Sequence, residues 1–255
     1  MKKIIKGEEP TFLREYHQAH FTDSWEKYRK NGDRRNQVQE QIRRDQGGLC
    51  AYCEIDLRRA DTLSSADFRV EHFHPKSDNG ADHNWGLDWQ NLLGCCHGGS
   101  QRDVIDGKRR FTSPDYSCDV PKDRENFDEV ILNPLLLPAS PNLFTYSRTT
   151  GRMEVHINNC IRAGVDVEKA QNTIDSLRLN AKRLTDLRRP VLLHLNRQYN
   201  RLVSQGFSAV DARRRLARAI LRRNKVGNWP AFFSAIRAYL GKQAEEHLER
   251  IGYDG

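Results

Sequence analysis

Cys50-Ala51-Tyr52-Cys53, Val70-Glu71-His72-Phe73-His74-Pro75, Trp89-Gln90-Asn91-Leu92-Leu93-Gly94-Cys95-Cys96-His97 and Cys118-Asp119-Val120-Pro121-Lys122 punctuate a single stretch of the chain. Read as chemistry, it is a loop stapled by cysteines and wrapped round a histidine with carboxylates beside it. A Cys-x-x-Cys pair alone fits a redox couple or half of a zinc site. A redox pair sits at a helix start beside a βαβ pattern, and none is evident here, whereas further cysteines follow downstream. Structural zinc takes four ligands in a tetrahedron, often from two such knuckles. Cys50 and Cys53 make the first knuckle. Adjacent cysteines rarely ligate one ion together, so Cys95 and Cys96 contribute one ligand between them. With Cys96 chosen, the set is Cys50, Cys53, Cys96 and Cys118, with His97 a possible substitute and Cys160 an ordinary buried thiol.

The elements around this stretch follow from local pattern. Phe68–Phe73 alternates as a short strand that Pro75 ends. Residues 78–84 are turn-rich and predict a loop, and Trp85–Leu93 brings the chain back through a short helical turn. Gly98–Ser117 is an irregular, charged insertion. Cys118–Glu129, with acids near its start, predicts a helix. Upstream, Thr11–Lys30 spaces aromatics for a helix face and breaks near Thr22-Asp23-Ser24, a cap. Asp33–Gln46 predicts a helix that Gly47-Gly48 stops. Downstream, prolines 134, 138 and 141 mark a boundary, and Phe144–Ile157 predicts a hairpin with Thr149-Thr150-Gly151 at its tip. Helices are expected over Ala170–Leu179 and Ala181–Leu202, the latter kinked or restarted at Pro190. Another runs from a Ser208/Asp211 capping box to Asn224, and a last one opens on Pro230. The expected fold is α+β and mostly helical, with a helical lead-in (1–47), a zinc-stapled core (48–141) and a basic, mainly helical C-terminal region (142–255).

The chain has 255 residues, 37% hydrophobic and 30% charged, with a formal net charge of +8 and a pI near 9.3. Such a balance favours a polyanionic partner, because Lys and Arg that neutralise phosphates release counterions. The excess concentrates between Arg178 and Lys225, where Arg188, Arg189, Arg213, Arg214, Arg215, Arg222 and Arg223 stand among only two acids, Asp186 and Asp211. Nucleic acid or an acidic partner protein would both suit it. No apolar segment follows Met1-Lys2-Lys3-Ile4-Ile5-Lys6, and the most apolar run, Val130–Ala139, is far short of the ~20 residues of a spanning helix. A cytoplasmic protein with no membrane partner is therefore expected, where reduced cysteines bind metal.

Hydrolysing a phosphodiester requires an activated water and relief of charge on the phosphate. A neutral histidine can take the water's proton near neutral pH, and a divalent cation held by oxygens can relieve the charge. Glu71-His72 supplies both residue types. On a regular strand the two side chains face opposite ways, so the pair belongs where the strand ends or twists.

The order Cys-x-x-Cys, Val-Glu-His-x-x-Pro, Asn-Leu-Leu, Cys, Cys-Asp-x-x-Lys resembles the HNH endonucleases of the ββα-metal class. More closely it is similar to the HNH subunit of Septu-type antiphage defence systems, which also accompanies some retrons. The motifs cover residues 48–138, including Asn133-Pro134-Leu135; over the C-terminal helices the likeness is general. The resemblance implies His72 as general base and Glu71 as an acid that binds the catalytic metal. It also implies Asn91 as brace of the loop that carries the base, and Asp119 at the position of a third His or Asn. Two carboxylates, Glu71 and Asp119, would suit Mg2+ or Mn2+. Two departures stand out: the long insertion between Cys96 and Cys118, and Asp at the third position, which His97 or His74 could fill instead. The resemblance further implies an ABC/SMC-like ATPase subunit as partner and, in a retron, a reverse transcriptase with its RNA–DNA product. The alternatives are a non-catalytic zinc-stapled module that binds nucleic acid or a partner, and a thiol oxidoreductase acting through Cys50 and Cys53.

Overall fold

The computed structural model describes residues 1–58, 67–80, 82–104 and 106–255. Ala81 in the expected 78–84 loop and Ile105 in the expected insertion lie outside the described residues. Among these residues the chain is mostly helical, with small two-stranded antiparallel sheets.

The lead-in folds as α1 (Thr11–Ala19), α2 (Trp25–Tyr28) and α3 (Gly32–Asp45). The expected break is there, with Ser24 capping α2 by accepting from the Lys27 amide. Leu13, Tyr16, Trp25, Tyr28, Val38 and Ile42 form one apolar cluster with Leu87, Trp89 and Leu92. The lead-in is thereby packed against the central stretch. α3 stops at Gly47 and Gly48, both with positive φ, and the Gly48 amide donates to Arg43 O at 2.8 Å.

The central sheet pairs β1 (Arg69–His72) antiparallel with a later strand, Leu92–Cys95, so that Glu71 faces Leu93 and His72 faces Leu92. Between them run β2 (Asn79–Gly80), β3 (His83–Asn84) and a single 3-10 turn, Trp89–Asn91; the returning Leu92–Cys95 strand is β4. α3 crosses β4 at Gly94, where a Cβ would come within 2.7 Å of Ile42 Cγ2. The same helix ends on Gln46, whose side chain accepts from the Gly94 amide (2.6 Å) and donates to its carbonyl (2.9 Å). Gly94 is thus needed for close approach, and it fixes β4 against the lead-in.

A short α4 (Gly107–Arg110) sits in the insertion. The helix expected over Cys118–Glu129 does not form. Cys118 (φ 63°) and Asp123 (φ 48°) adopt left-handed backbone, Pro121 lacks an amide, and the segment runs as successive turns. Strand, strand and turns, in place of strand, strand and helix, make up the centre.

The hairpin β5 (Phe144–Tyr146) and β6 (Met153–Val155) forms as expected, followed by α5 (Ile157–Arg162) and α6 (Val167–Ser176). α7 (Lys182–Ser204) passes through Pro190 as one helix. Pro190 is exposed, so solvent can serve the Asp186 carbonyl it leaves without a helical donor. α8 (Ala209–Ile220) starts at the Ser208 cap as read, but ends four residues before Asn224. The final helix opens at Phe233 rather than Pro230 and is divided by Gly241 (φ 59°) into α9 (Phe233–Leu240) and α10 (Lys242–Arg250).

The largest apolar cluster joins the cysteines to Leu132, Leu137, Phe144, Met153, Ile174, Leu177 and Leu184. Another gathers α7 to α10 around Leu195, Leu216, Trp229, Phe233 and Leu240, and reaches Leu49 beside the first knuckle. No helix among the described residues is long and apolar enough to cross a membrane.

Candidate active site

Cys50, Cys53, Cys96 and Cys118 converge, with their sulfurs all within 4.8 Å of one another. The separations are 4.0 Å for Cys50–Cys118, 3.7 Å for Cys53–Cys96 and 3.6 Å for Cys96–Cys118. A tetrahedral zinc with arms of ~2.3 Å requires sulfur–sulfur edges of ~3.8 Å. All four are buried, and the Cys96 amide donates to Cys50 Sγ at 3.4 Å. The chemistry and spacing of the donors fit structural zinc. Cys95 lies on β4 outside this set, and Cys160 donates to Leu143 O in the core.

Glu71 and His72 end β1 and line one cleft of about 770 Å³, together with Asp119, Lys122, Arg69 and His97. His72 is buried (7% exposed) and packs edge-on against Trp25, centroids 5.5 Å apart. Its Nε2 meets the Gly86 carbonyl at 3.1 Å. A carbonyl only accepts, so Nε2 carries the proton and Nδ1 is left as the acceptor. Burial holds the imidazole's pKa down to about 4, so it is neutral at physiological pH.

Glu71 accepts from Lys122 Nζ at 2.9 Å, and the same ammonium donates to His72 O at 2.8 Å. Asp119 accepts from Arg69 at 2.7 Å. Burial, then the neighbouring Asp119 charge, raises the Glu71 pKa to about 7. Burial raises Asp119 too, against the pull of Arg69. Two neighbouring carboxylates, Asp119 buried and Glu71 half-buried, with elevated pKa values are what a bound divalent cation would relieve, and oxygen donors suit a hard ion.

Asn91 clasps both ends of the segment between the strands. Its Oδ1 accepts from the His74 amide at 2.7 Å, and its Nδ2 donates to His74 O (2.9 Å) and Trp85 O (2.8 Å). His74 is engaged elsewhere: Nδ1 meets Asp128 at 2.6 Å, Nε2 meets Asp78 at 3.0 Å, and the ring packs at a tilt against Trp85. Both nitrogens being occupied, His74 is not poised to ligate. His97 lines the cleft with a buried Nδ1 that has no partner among the described residues; burial, then Arg69 and Arg110, lowers its pKa to about 4.

Of the arginines singled out in the C-terminal region, Arg188 is not available to a ligand. It is 2% exposed, donates to Gly151 O and Leu179 O, and lies over the Tyr146 ring. Arg189, Arg215, Arg222 and Arg223 are exposed and Arg213 and Arg214 half-buried, but none of them lines the cleft. The cleft rim instead carries Arg29, Arg35 and Arg124. Reading along the sequence missed them because two belong to the lead-in, far in sequence from Glu71 and His72. The packing of the lead-in on the central stretch brings Arg29 and Arg35 to the cleft of Glu71 and His72.

No family model matches the chain. Over 215 residues, 77% of this chain and 81% of the other, it is 33% identical to an Escherichia coli protein named "Retron Ec83 putative HNH endonuclease".

Proposed function

The chain belongs to the retron-associated HNH endonuclease family of that Escherichia coli protein, and on this premise we propose that it is a metal-dependent nuclease hydrolysing nucleic-acid phosphodiesters. The single observation that carries the reading is the cleft in which a neutral histidine with a free Nδ1 sits beside two carboxylates of raised pKa. His72 Nδ1 takes a proton from the attacking water, while Gly86 O fixes the tautomer and Trp25 the ring. Glu71 and Asp119 would hold Mg2+ or Mn2+, which supplies charge relief on the phosphate when bound. Lys122 orients Glu71, and Arg69 orients Asp119. His97 is the alternative third ligand, favoured over His74 by its unpartnered nitrogen. Asn91 holds the ends of the His74–Trp85 segment. The ββα-metal assignment is part of this proposal, with turns standing where the family has its helix.

The relative's name places that protein with a retron. For this chain the corresponding proposal is an effector of antiphage defence, acting with an ABC/SMC-like ATPase and, in a retron, with the reverse transcriptase and its RNA–DNA product. The exposed arginines of α7, α8 and the segment after α8 are a surface for such a partner or for nucleic acid.

His72→Ala tests the reading. General acid–base groups contribute ~100- to 10,000-fold, so cleavage of DNA or RNA by the zinc-loaded protein with Mg2+ or Mn2+ should fall by about 100-fold or more. Phage protection by the variant, co-expressed with its neighbouring genes at equal abundance, should be lost. Unchanged protection would replace the nuclease with a binding module stapled by zinc.

A further inference from the structure

Arg183, near the start of α7, points away from solvent. It is 4% exposed and sits against the second knuckle, in a small cavity with Cys96, His97, Gly98 and Gly99. Its guanidinium donates to Ser117 Oγ, Cys96 lines the same cavity, and its Nε has no partner among the described residues.

The local chain is built to let it in. A Cβ on Gly98 would lie 2.2 Å from Ser117 O, and one on Gly99 would lie 2.5 Å from Thr112 Oγ1. Only glycines therefore permit the fold-back in which the Ser117 amide donates to Gly98 O. The next amide, that of the ligand Cys118, donates to Leu177 O just after α6 at 2.8 Å. The junction between α6 and α7 thus grips the second knuckle through a carbonyl and a guanidinium.

Zinc bound by four thiolates carries a net charge of −2, and net charge buried without a partner is expensive. We infer that Arg183 is the counter-cation of the four-cysteine metal centre, a positioning residue that holds the charged cluster and couples it to the C-terminal helices. The inference rests on the four cysteines holding a zinc ion, and it assigns no part in hydrolysis to Arg183. Partners of metal ligands typically affect metal affinity ~10- to 100-fold. Zinc retention and docking of α7 are then linked, each favouring the other.

The test is zinc loss from the full-length, zinc-loaded chain to a chromogenic chelator, for wild type, Arg183→Met, Arg183→Lys and Ser117→Ala. Arg183→Met keeps most of the bulk and removes the charge, so it should lose zinc ~10- to 100-fold faster. Arg183→Lys should fall between, and Ser117→Ala, which removes one anchor of the guanidinium, should show a smaller increase. In Co2+-substituted protein the sulfur-to-metal charge-transfer band should shift in Arg183→Met and return toward wild type in Arg183→Lys, a change that simple packing would not produce. Equal release rates and superimposable Co2+ spectra in wild type, Arg183→Met and Ser117→Ala would overturn the inference and leave the zinc site standing. Wild-type protein that binds no zinc would overturn the metal centre itself, and the inference with it.

Discussion

Alternation along a strand sends neighbouring side chains to opposite faces, yet Glu71 and His72 line the same cleft because β1 ends on His72 and its ring turns to the Gly86 carbonyl. The position also determines how His72 responds to pH. Its pKa is about 4 in the folded chain against an ordinary 6.5, so as pH falls through 6.5 the unfolded chain takes up the proton first. The stability tied to the neutral ring is full above 6.5 and lost progressively toward 4, a difference of about 3 kcal/mol. In His72→Ala this component disappears. The stability gap between wild type and variant should therefore narrow as pH is lowered across that window, as read by urea unfolding; parallel curves would contradict the buried neutral imidazole. Asn91 is a second case in which one side chain carries several bonds. Asn91→Ala strands the His74 amide and two carbonyls, at ~1 kcal/mol or more each. It should cost about 3 kcal/mol in unfolding experiments, and cleavage should fall even where the variant remains fully folded.

Among the elements, those with local signals were legible in the sequence. Ser24, Gly47-Gly48 and Ser208 each mark a helix end through a cap or a left-handed turn that the residue itself supplies. The cysteine quartet was legible because tetrahedral thiolate coordination constrains residue type and number. What could not be read was set by distant partners. Cys118 and Asp123 take left-handed backbone where the knuckle closes against α6, cancelling a helix that composition favoured. Arg188 resembles its surface neighbours in sequence, and only the folded β5–β6 hairpin shows that Gly151 and Tyr146 enclose it. The same limitation hid the cleft rim. Arg29 and Arg35 come from the lead-in and line the cleft together with Arg124, where a nuclease substrate would bring its phosphates. Each phosphate contact contributes ~0.7 to 0.9 to the slope of log affinity against log salt. In an uncleaving His72→Ala background, Arg29→Ala/Arg35→Ala should lower that slope by about 1.5 for a DNA or RNA oligonucleotide. A comparable change from Arg222→Ala/Arg223→Ala, with none from the rim pair, would move the nucleic acid to the C-terminal helices.

At the scale of the whole molecule, the metal centre stands where the chain's apolar clusters meet. The four cysteines belong to the cluster that runs through Leu132, Phe144, Met153, Ile174 and Leu184, while Leu49, next to the first knuckle, belongs to the cluster of α7 to α10. Glu54, just past Cys53, accepts from both the amide and the hydroxyl of Ser234 in α9. Zinc in such a position does more than close a loop, because its binding energy becomes folding energy for everything packed on the knuckles. Structural sites contribute ~10 kcal/mol or more, and for a chain of this size each kcal/mol moves Tm by ~2 to 4 °C. Stripping zinc under reducing conditions should therefore lower Tm by well over ~10 °C. Proteolysis should then open the 131–184 region as well as the knuckles. The site should also empty as pH falls, since protons compete with zinc for the thiolates. Cuts confined to residues 48–57, with the rest of the chain as resistant as before, would mean that the core around Phe144 and Ile174 stands without the metal.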